Sequence, residues 1–222
     1  MKALKASLRR LGKEALQASL RGSFVWRLPA RFPEHVCLTF DDGPDPAFTP
    51  RVLELLSDHD AQAAFFLLGR QIDQHPALAC EIVRRGHVVG THTYSHREIT
   101  SLDDAELAQE LAAGREALRR ATGKDSVLFR PPRGVVSWPA IRKVIRLGFV
   151  LVHWSKTYSD YKRDGVPALL ARIGRDPVCG RDIVLFHDNN EHTAEVLTGL
   201  LPDLRKRGFA LRSTLFPVAG GP

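Results

Sequence analysis

From residue 35 onward the chain alternates short apolar runs with amphipathic stretches, and this alternation constrains the fold more than any other feature. Segments 35–40, 63–68, 87–89, 127–129, 149–153, 183–186 and 209–211 have the apolar, β-branched and aromatic content of strands. Segments 50–59, 76–85, 102–122, 138–147, 166–173 and 193–206 have helical periodicity, the last with an interruption expected near Pro202. Thr49 is placed to cap the first of these helices, Gly86 to end the second, and Ser101 or Asp103 and Gly123 to bracket the third. About seven strand–helix units in succession imply a parallel sheet covered by helices, an α/β architecture. Periodicity alone leaves two forms open, a doubly wound sheet and a closed barrel.

Residues 1–33 stand apart as a basic extension to a body at 34–222. The net charge of +7 invites a nucleic-acid hypothesis, but residues 1–31 hold eight basic side chains against Glu14 alone. The rest of the chain carries equal numbers of acidic and basic residues, with no aromatic platform among them, so no nucleic-acid partner is expected. Within the extension Leu4, Leu8, Leu11, Ala15 and Leu20 fall near one helical face. Such a basic amphipathic helix can lie on an anionic membrane, or pack on the body or on a second chain, and these remain open here. No run is long and apolar enough for a transmembrane helix or secretory signal. The three widely spaced cysteines suggest neither a disulfide framework nor a cysteine metal site. A cytoplasmic protein, at most peripheral on the inner face of the membrane, is the expectation.

In a parallel α/β fold, reactive groups collect past the C-terminal ends of strands. Five such ends here are polar: Asp41-Asp42-Gly43-Pro44, Thr91-His92-Thr93-Tyr94-Ser95-His96, Arg130-Pro131-Pro132-Arg133-Gly134, Asp160-Tyr161 and His187-Asp188. Each has an ordinary reading alone, as a turn, a surface ion pair or a strand-end cap. Together they supply two imidazoles and a carboxylate for a divalent cation, a spare carboxylate, a guanidinium and another histidine. That set suits metal-assisted hydrolysis.

These segments resemble, in order, motifs of the polysaccharide deacetylases with a NodB homology domain, carbohydrate esterase family 4, over residues 34–215. Thr39–Pro44 resembles the first motif, His92–His96 the second, Arg130–Gly134 the third and Ile183–Asp188 the fifth. The resemblance implies a distorted (β/α) barrel of about seven parallel strands. It implies that Asp42, His92 and His96 ligate one divalent metal, zinc or alternatively cobalt, manganese or nickel. It further implies Asp41 as general base, Arg130 as the group holding it, His187 as general acid and Asp160 as the partner of His187. The main-chain N–H of Arg133 would serve the oxyanion, and Leu185 and Tyr161 would border the acyl group. The fourth motif departs from the family pattern, with Thr157 at its first aspartate and Tyr161 at its tryptophan.

The expected function is metal-dependent removal of an N-acetyl group from an amino sugar in a glycan or glycolipid, on a cytoplasmic or membrane-associated intermediate. A deformylase of a lipid-linked formamido sugar and a non-catalytic glycan-binding relative are the alternatives.

Overall fold

The computed structural model describes residues 12–20, 22–162 and 164–213. Leu4, Leu8 and Leu11 of the expected amphipathic stripe lie outside them. An eight-stranded parallel sheet curls into a half-barrel, in the order β1 (Phe24–Val25), β6 (Val150–Val152), β5 (Leu128–Phe129), β4 (Val88–Thr91), β3 (Ala63–Leu67), β2 (His35–Asp41), β8 (Ile183–His187) and β7 (Lys156–Thr157). A ninth strand, β9 (Ala210–Leu211), pairs with the start of β2. The two ends of the eight-strand path, β1 and β7, do not pair with each other among the described residues, so the barrel stays open.

The central strands are buried on both faces, which is why β3 reads Ala-Ala-Phe-Phe-Leu without polar alternation. The period of two still sorts their side chains. On β2, Val36, Leu38 and Phe40 face the outer core, where Phe40 stacks on Phe65 at 5.0 Å. Cys37 instead packs with Ala64, Phe66 and Val152 on the other face. Thr39 and Asp41 follow Cys37 by alternation, and Asp41 therefore ends the strand on the concave side.

Helices α2 (Thr49–Asp58), α3 (Gly69–Gln74), α4 (Pro76–Arg84), α5 (Asp104–Thr122), α6 (Trp138–Arg146), α7 (Val166–Arg175) and α8 (Glu191–Lys206) accompany the sheet. Asp103 caps α5 in a reciprocal box with Glu106. Thr49 is not a cap: it is the first residue of α2, fully buried, and Phe48 precedes it without a capping side-chain bond. α8 runs through Pro202 unbroken, because Leu197, Leu200, Leu201 and Leu204 keep packing on the core while the proline faces solvent. The six-residue α3 and the two-residue β1 and β7 are too short to register as periodicity.

The sheet begins upstream of residue 34, since β1 pairs with β6 and Trp26 and Leu28 are buried. Residues 12–19 form a helix, α1. Ala15 points to solvent, and it is Leu16, with Leu20, that packs against the cluster containing Phe24 and Trp26. Gln17 fixes the register: its Oε1 accepts from the N–H groups of Trp26 (2.7 Å) and Arg27 (2.9 Å), and its Nε2 donates to the Arg27 carbonyl. This stretch of the extension is thus packed on the body. No described helix is long and apolar enough to cross a membrane, and all three cysteines are unpaired.

Candidate functional site

The register of the sheet sets Asp41 directly beside His187 at the C-terminal edge, and Phe66 on the other side. Five chain segments meet at this edge. Asp42, His92 and His96 come together with one ligand atom each, all within 4.8 Å of one another. Asp42 Oδ1 lies 3.3 Å from His96 Nε2 and 3.5 Å from His92 Nε2. Asp41, Asp42, His92, His96, His187, Leu185, Arg133 and Tyr161 all line one cleft of 370 Å³.

The backbone that presents these groups is held in an uncommon shape. Asp42, Thr93 and His96 all have left-handed φ, at 78°, 69° and 69°, a conformation non-glycine residues keep only where their surroundings enforce it. For the histidine loop the enforcing group is Glu110 on α5. Its carboxylate accepts from the N–H groups of Tyr94 (3.0 Å) and Ser95 (2.9 Å) and from the Ser95 hydroxyl (2.6 Å). Gly114, one turn further along α5, allows the approach: a Cβ there would sit 2.3 Å from Thr91 Oγ1. For the Asp42 turn the support is Asp188, fully buried under Gly43, where a Cβ would meet its carboxylate at 2.3 Å. Thr49 accepts from the Asp45 N–H at 2.8 Å and donates to Asp188 at 2.5 Å. Burial, helped by the charges of Asp42 and Asp41 and opposed by the Thr49 bond, pushes the Asp188 carboxyl up to about 7. Asn189 reaches the second oxygen of Asp42 at 3.2 Å.

Asp188→Ala should therefore cost about 1–3 kcal/mol, by leaving the Thr49 hydroxyl without an acceptor. It should also weaken metal binding by loosening the Asp42 turn, whereas Asp188→Asn retains both properties. Thermal melts and metal titration of the stripped protein check this. An unchanged melt and isotherm for the alanine variant would remove Asp188 as the support of the Asp42 turn.

Arg130 organises the centre through both its main chain and its side chain. Its carbonyl accepts from His92 Nδ1 at 2.8 Å, which turns Nε2 toward Asp42. Its guanidinium, with no exposed surface, bonds Asp41 Oδ1 (2.8 Å), Thr39 (2.7 Å) and the carbonyls of Val152 and His153. It also lies 4.1 Å over the Phe66 ring. Asp41 keeps its other oxygen, Oδ2, on the His92 side at 3.9 Å. Burial pushes His92 toward its neutral form, against the pull of Asp41 and Asp42. Burial also opposes the charge on Asp42, but the adjoining His96 and the other imidazoles nearby hold it at about 2.

Asp160 accepts from both His187 Nδ1 (2.9 Å) and the His187 main-chain N–H (2.7 Å), and Thr193 donates to its second oxygen. Burial alone would strip the proton from His187. The Asp160 bond and charge, with Asp41 and Asp42 nearby, outweigh it and raise the imidazole to about 9.

The remaining sequence-derived positions are also accounted for. Leu185 is buried in the cleft wall, while Tyr161 is largely exposed and meets His187 edge-on at 5.6 Å. Thr157 lines the cleft. The Arg133 side chain pairs with Glu98 at 2.8 Å. Trp154, which sequence reasoning passed over, supplies the aromatic wall, with Gly134 packed so tightly that a Cβ would lie 2.2 Å from its ring. Its position just after an apolar strand was the available signal. Glu110 and the site role of Thr49 were likewise missed, and nothing local distinguishes them.

Comparison with known proteins agrees with this geometry. The sequence profile of the polysaccharide deacetylase family matches residues 31–152. A peptidoglycan-N-acetylglucosamine deacetylase of Bacillus cereus is 32% identical over 193 residues, covering 85% of this chain and 89% of the relative. The crystal structure of a peptidoglycan N-acetylglucosamine deacetylase in complex with 4-naphthalen-1-yl-N-oxidanyl-benzamide superimposes with a TM-score of 0.83, at 26% identity, over 93% of this chain and 98% of that one. A pseudoenzyme of carbohydrate esterase family 4 from Bacillus anthracis is also similar, with a TM-score of 0.78 and 27% identity over 85% of this chain and 66% of its own. Profile, sequence relatives and fold agree, and this chain belongs to the polysaccharide deacetylase family.

Proposed function

We propose that this protein is a metal-dependent hydrolase that removes the N-acetyl group from an amino sugar in a glycan containing N-acetylglucosamine-type units. One observation carries the reading. A carboxylate held by a buried arginine, an Asp/His/His trio and a histidine held by a second carboxylate all face one cleft. Retention of all three parts supports catalysis here.

The trio fits a divalent cation. Asp42 Oδ1 is buried without a hydrogen-bond partner, and His92 is locked through Nδ1 with Nε2 turned to the same point. When bound there, the metal supplies Lewis-acid polarisation and a more acidic water. Asp41 offers Oδ2 toward that point, while Arg130 keeps Oδ1 occupied. Asp41 therefore takes the proton from the attacking water. The Arg133 N–H, on the loop lining the same cleft, donates to the developing oxyanion. His187 gives its proton to the leaving amine, and Asp160 stabilises the charge it carries until then. Leu185 and Trp154 form the apolar wall for the acyl methyl.

Proton NMR of the acid released from N-acetyl and N-formyl amino-sugar oligomers, with and without added divalent metal, tests the reading. Acetate is expected. Chelation should abolish release, and zinc or cobalt should restore it. Formate alone would transfer the reading to a deformylase. Metal retained with no acid from any substrate would favour a glycan-binding relative, and full turnover after verified metal removal would sink the metal assignment.

A further inference from the structure

We propose that the Arg133 guanidinium reads an oxyanion on the substrate, a carboxylate or phosphate on or next to the sugar that loses its acyl group, and that Glu98 is the internal counterion this oxyanion displaces. The proposal rests on the amino-sugar amidase reading above and narrows its substrate class.

The charges around the cleft fall into two kinds. Arg130 is fully buried on Asp41, and His187 is tied to the buried Asp160. Asp42 is shared between His92 and His96. The first two pairs are largely buried, and the third belongs to the trio that would hold the metal. Arg133 is different. Its side chain is 69% exposed, and the partner it meets, Glu98, is 34% exposed. An ion pair this open contributes little net free energy and exchanges readily with a competing anion.

The base of the Arg133 arm is nevertheless fixed. Arg133 has a left-handed φ of 56°, and the neighbouring Gly134 is wedged on the Trp154 ring. The Gly134 N–H bonds the Pro131 carbonyl, closing the turn. The tip bridges from this loop to Glu98, two residues past His96 in sequence, so the pair spans from the cleft wall to the segment that carries a metal ligand. A rigid base with an exchangeable tip is the arrangement expected of a residue that selects substrates. A guanidinium fork matches a carboxylate or phosphate with two parallel hydrogen bonds, which a neutral hydroxyl does not reproduce. Glu98 already presents a carboxylate to the same guanidinium, through one bond from Nη1.

The experiment compares kcat/KM on three substrates with the metal-loaded protein. They are a neutral N-acetylglucosamine oligomer, an oligomer containing N-acetylmuramic acid with its lactyl carboxylate, and N-acetylglucosamine 1-phosphate. The expected result is a preference of about ten- to hundredfold for one anionic substrate over the neutral one. Whichever anion is preferred identifies the source. Arg133→Gln should collapse that ratio to about one. Glu98→Gln should raise it by about three- to fivefold, through a lower KM for the anionic substrate and no change on the neutral one. Added salt should erode the preference in the wild type and leave the Arg133→Gln ratio unaltered. Equal rates on all three substrates, or a ratio that neither substitution moves, would overturn the proposal while leaving the hydrolase reading intact. Acid release from none of them, with metal bound, would instead count against the hydrolase reading itself.

Discussion

Replacing Arg130 by Met should lower stability by about 3–5 kcal/mol, because it leaves the Asp41 carboxylate buried without its counterion. For a domain of this size that is a fall in melting temperature on the order of 10 °C. The guanidinium bonds Thr39, Asp41 and two main-chain carbonyls from a position with no solvent exposure, so no water replaces it. Arg130→Lys should recover only part of the loss, since an ammonium cannot span the same fork of acceptors. Turnover should fall far more than stability, by about 10²-fold or more, because Asp41 would lose the group that orients it and offsets its charge as it takes the proton. Asp41→Asn should abolish turnover while metal is retained, at a cost in stability from the arginine it strands. The double variant should be less destabilised than the two singles added together, because it removes both members of one pair. Circular dichroism melts and metal-loaded kinetics read both effects. A melt within about 2 °C of wild type for Arg130→Met would refute the assignment of this pair to the structural centre.

The second large effect concerns His187. Asp160→Asn should reduce kcat by about 10²–10⁴-fold, the range attributed to a well-placed acid. It should also reshape the pH profile. In the wild type the Asp160 bond overcomes the opposing effect of burial and raises His187 to about 9, so the acid stays protonated through neutral pH and activity falls on the alkaline side. A cation held by Asp42 offsets one of the carboxylate charges acting on His187, so that limb lies somewhat lower in the loaded enzyme. The neutral amide of the Asp160→Asn variant would move the limb well below its wild-type position. The stability linkage has the same origin. A histidine whose folded value exceeds its unfolded 6.5 contributes stability that is fully present below pH 6.5 and is lost as pH rises through about 9. The melting temperature of the wild type should decline across that window, and that of Asp160→Asn should decline less. An alkaline limb that stays in place in the variant would assign it to another group.

Much of the site is legible in the chain because chemistry is concentrated at strand ends. Asp41, Asp42, His92, His96, Arg130 and His187 all lie at or shortly past the ends of apolar runs, and the structure brings every one to the same edge. Asp160 is less obvious locally, yet it meets His187 across 27 residues. The supporting residues behave otherwise. Glu110 looks like any polar residue on α5, and Thr49 like an ordinary cap, until their partners are known. The extension is another case. Its charge and periodicity marked it as separate, but two residues of strand and the side chain of Gln17 join it to the body.

Sequence alone determined the alternation of strand and helix, the parallel sheet it requires and the side chains available for chemistry. These are local properties, written in which positions must be buried and which residue types can ionise. The tertiary structure alone decided that the barrel stays open, that α8 continues through Pro202, that Trp154 walls the cleft, and that the exposed Arg133 meets Glu98. It also chose which carboxylate each cation meets, and which hydroxyl each buried acid meets: Arg130 finds Asp41 from 89 residues away, and Asp188 finds Thr49 from 139. Such pairings are set by how packed surfaces fit and by the high cost of leaving a buried charge without a partner, and neither is encoded in the spacing of residues along the chain.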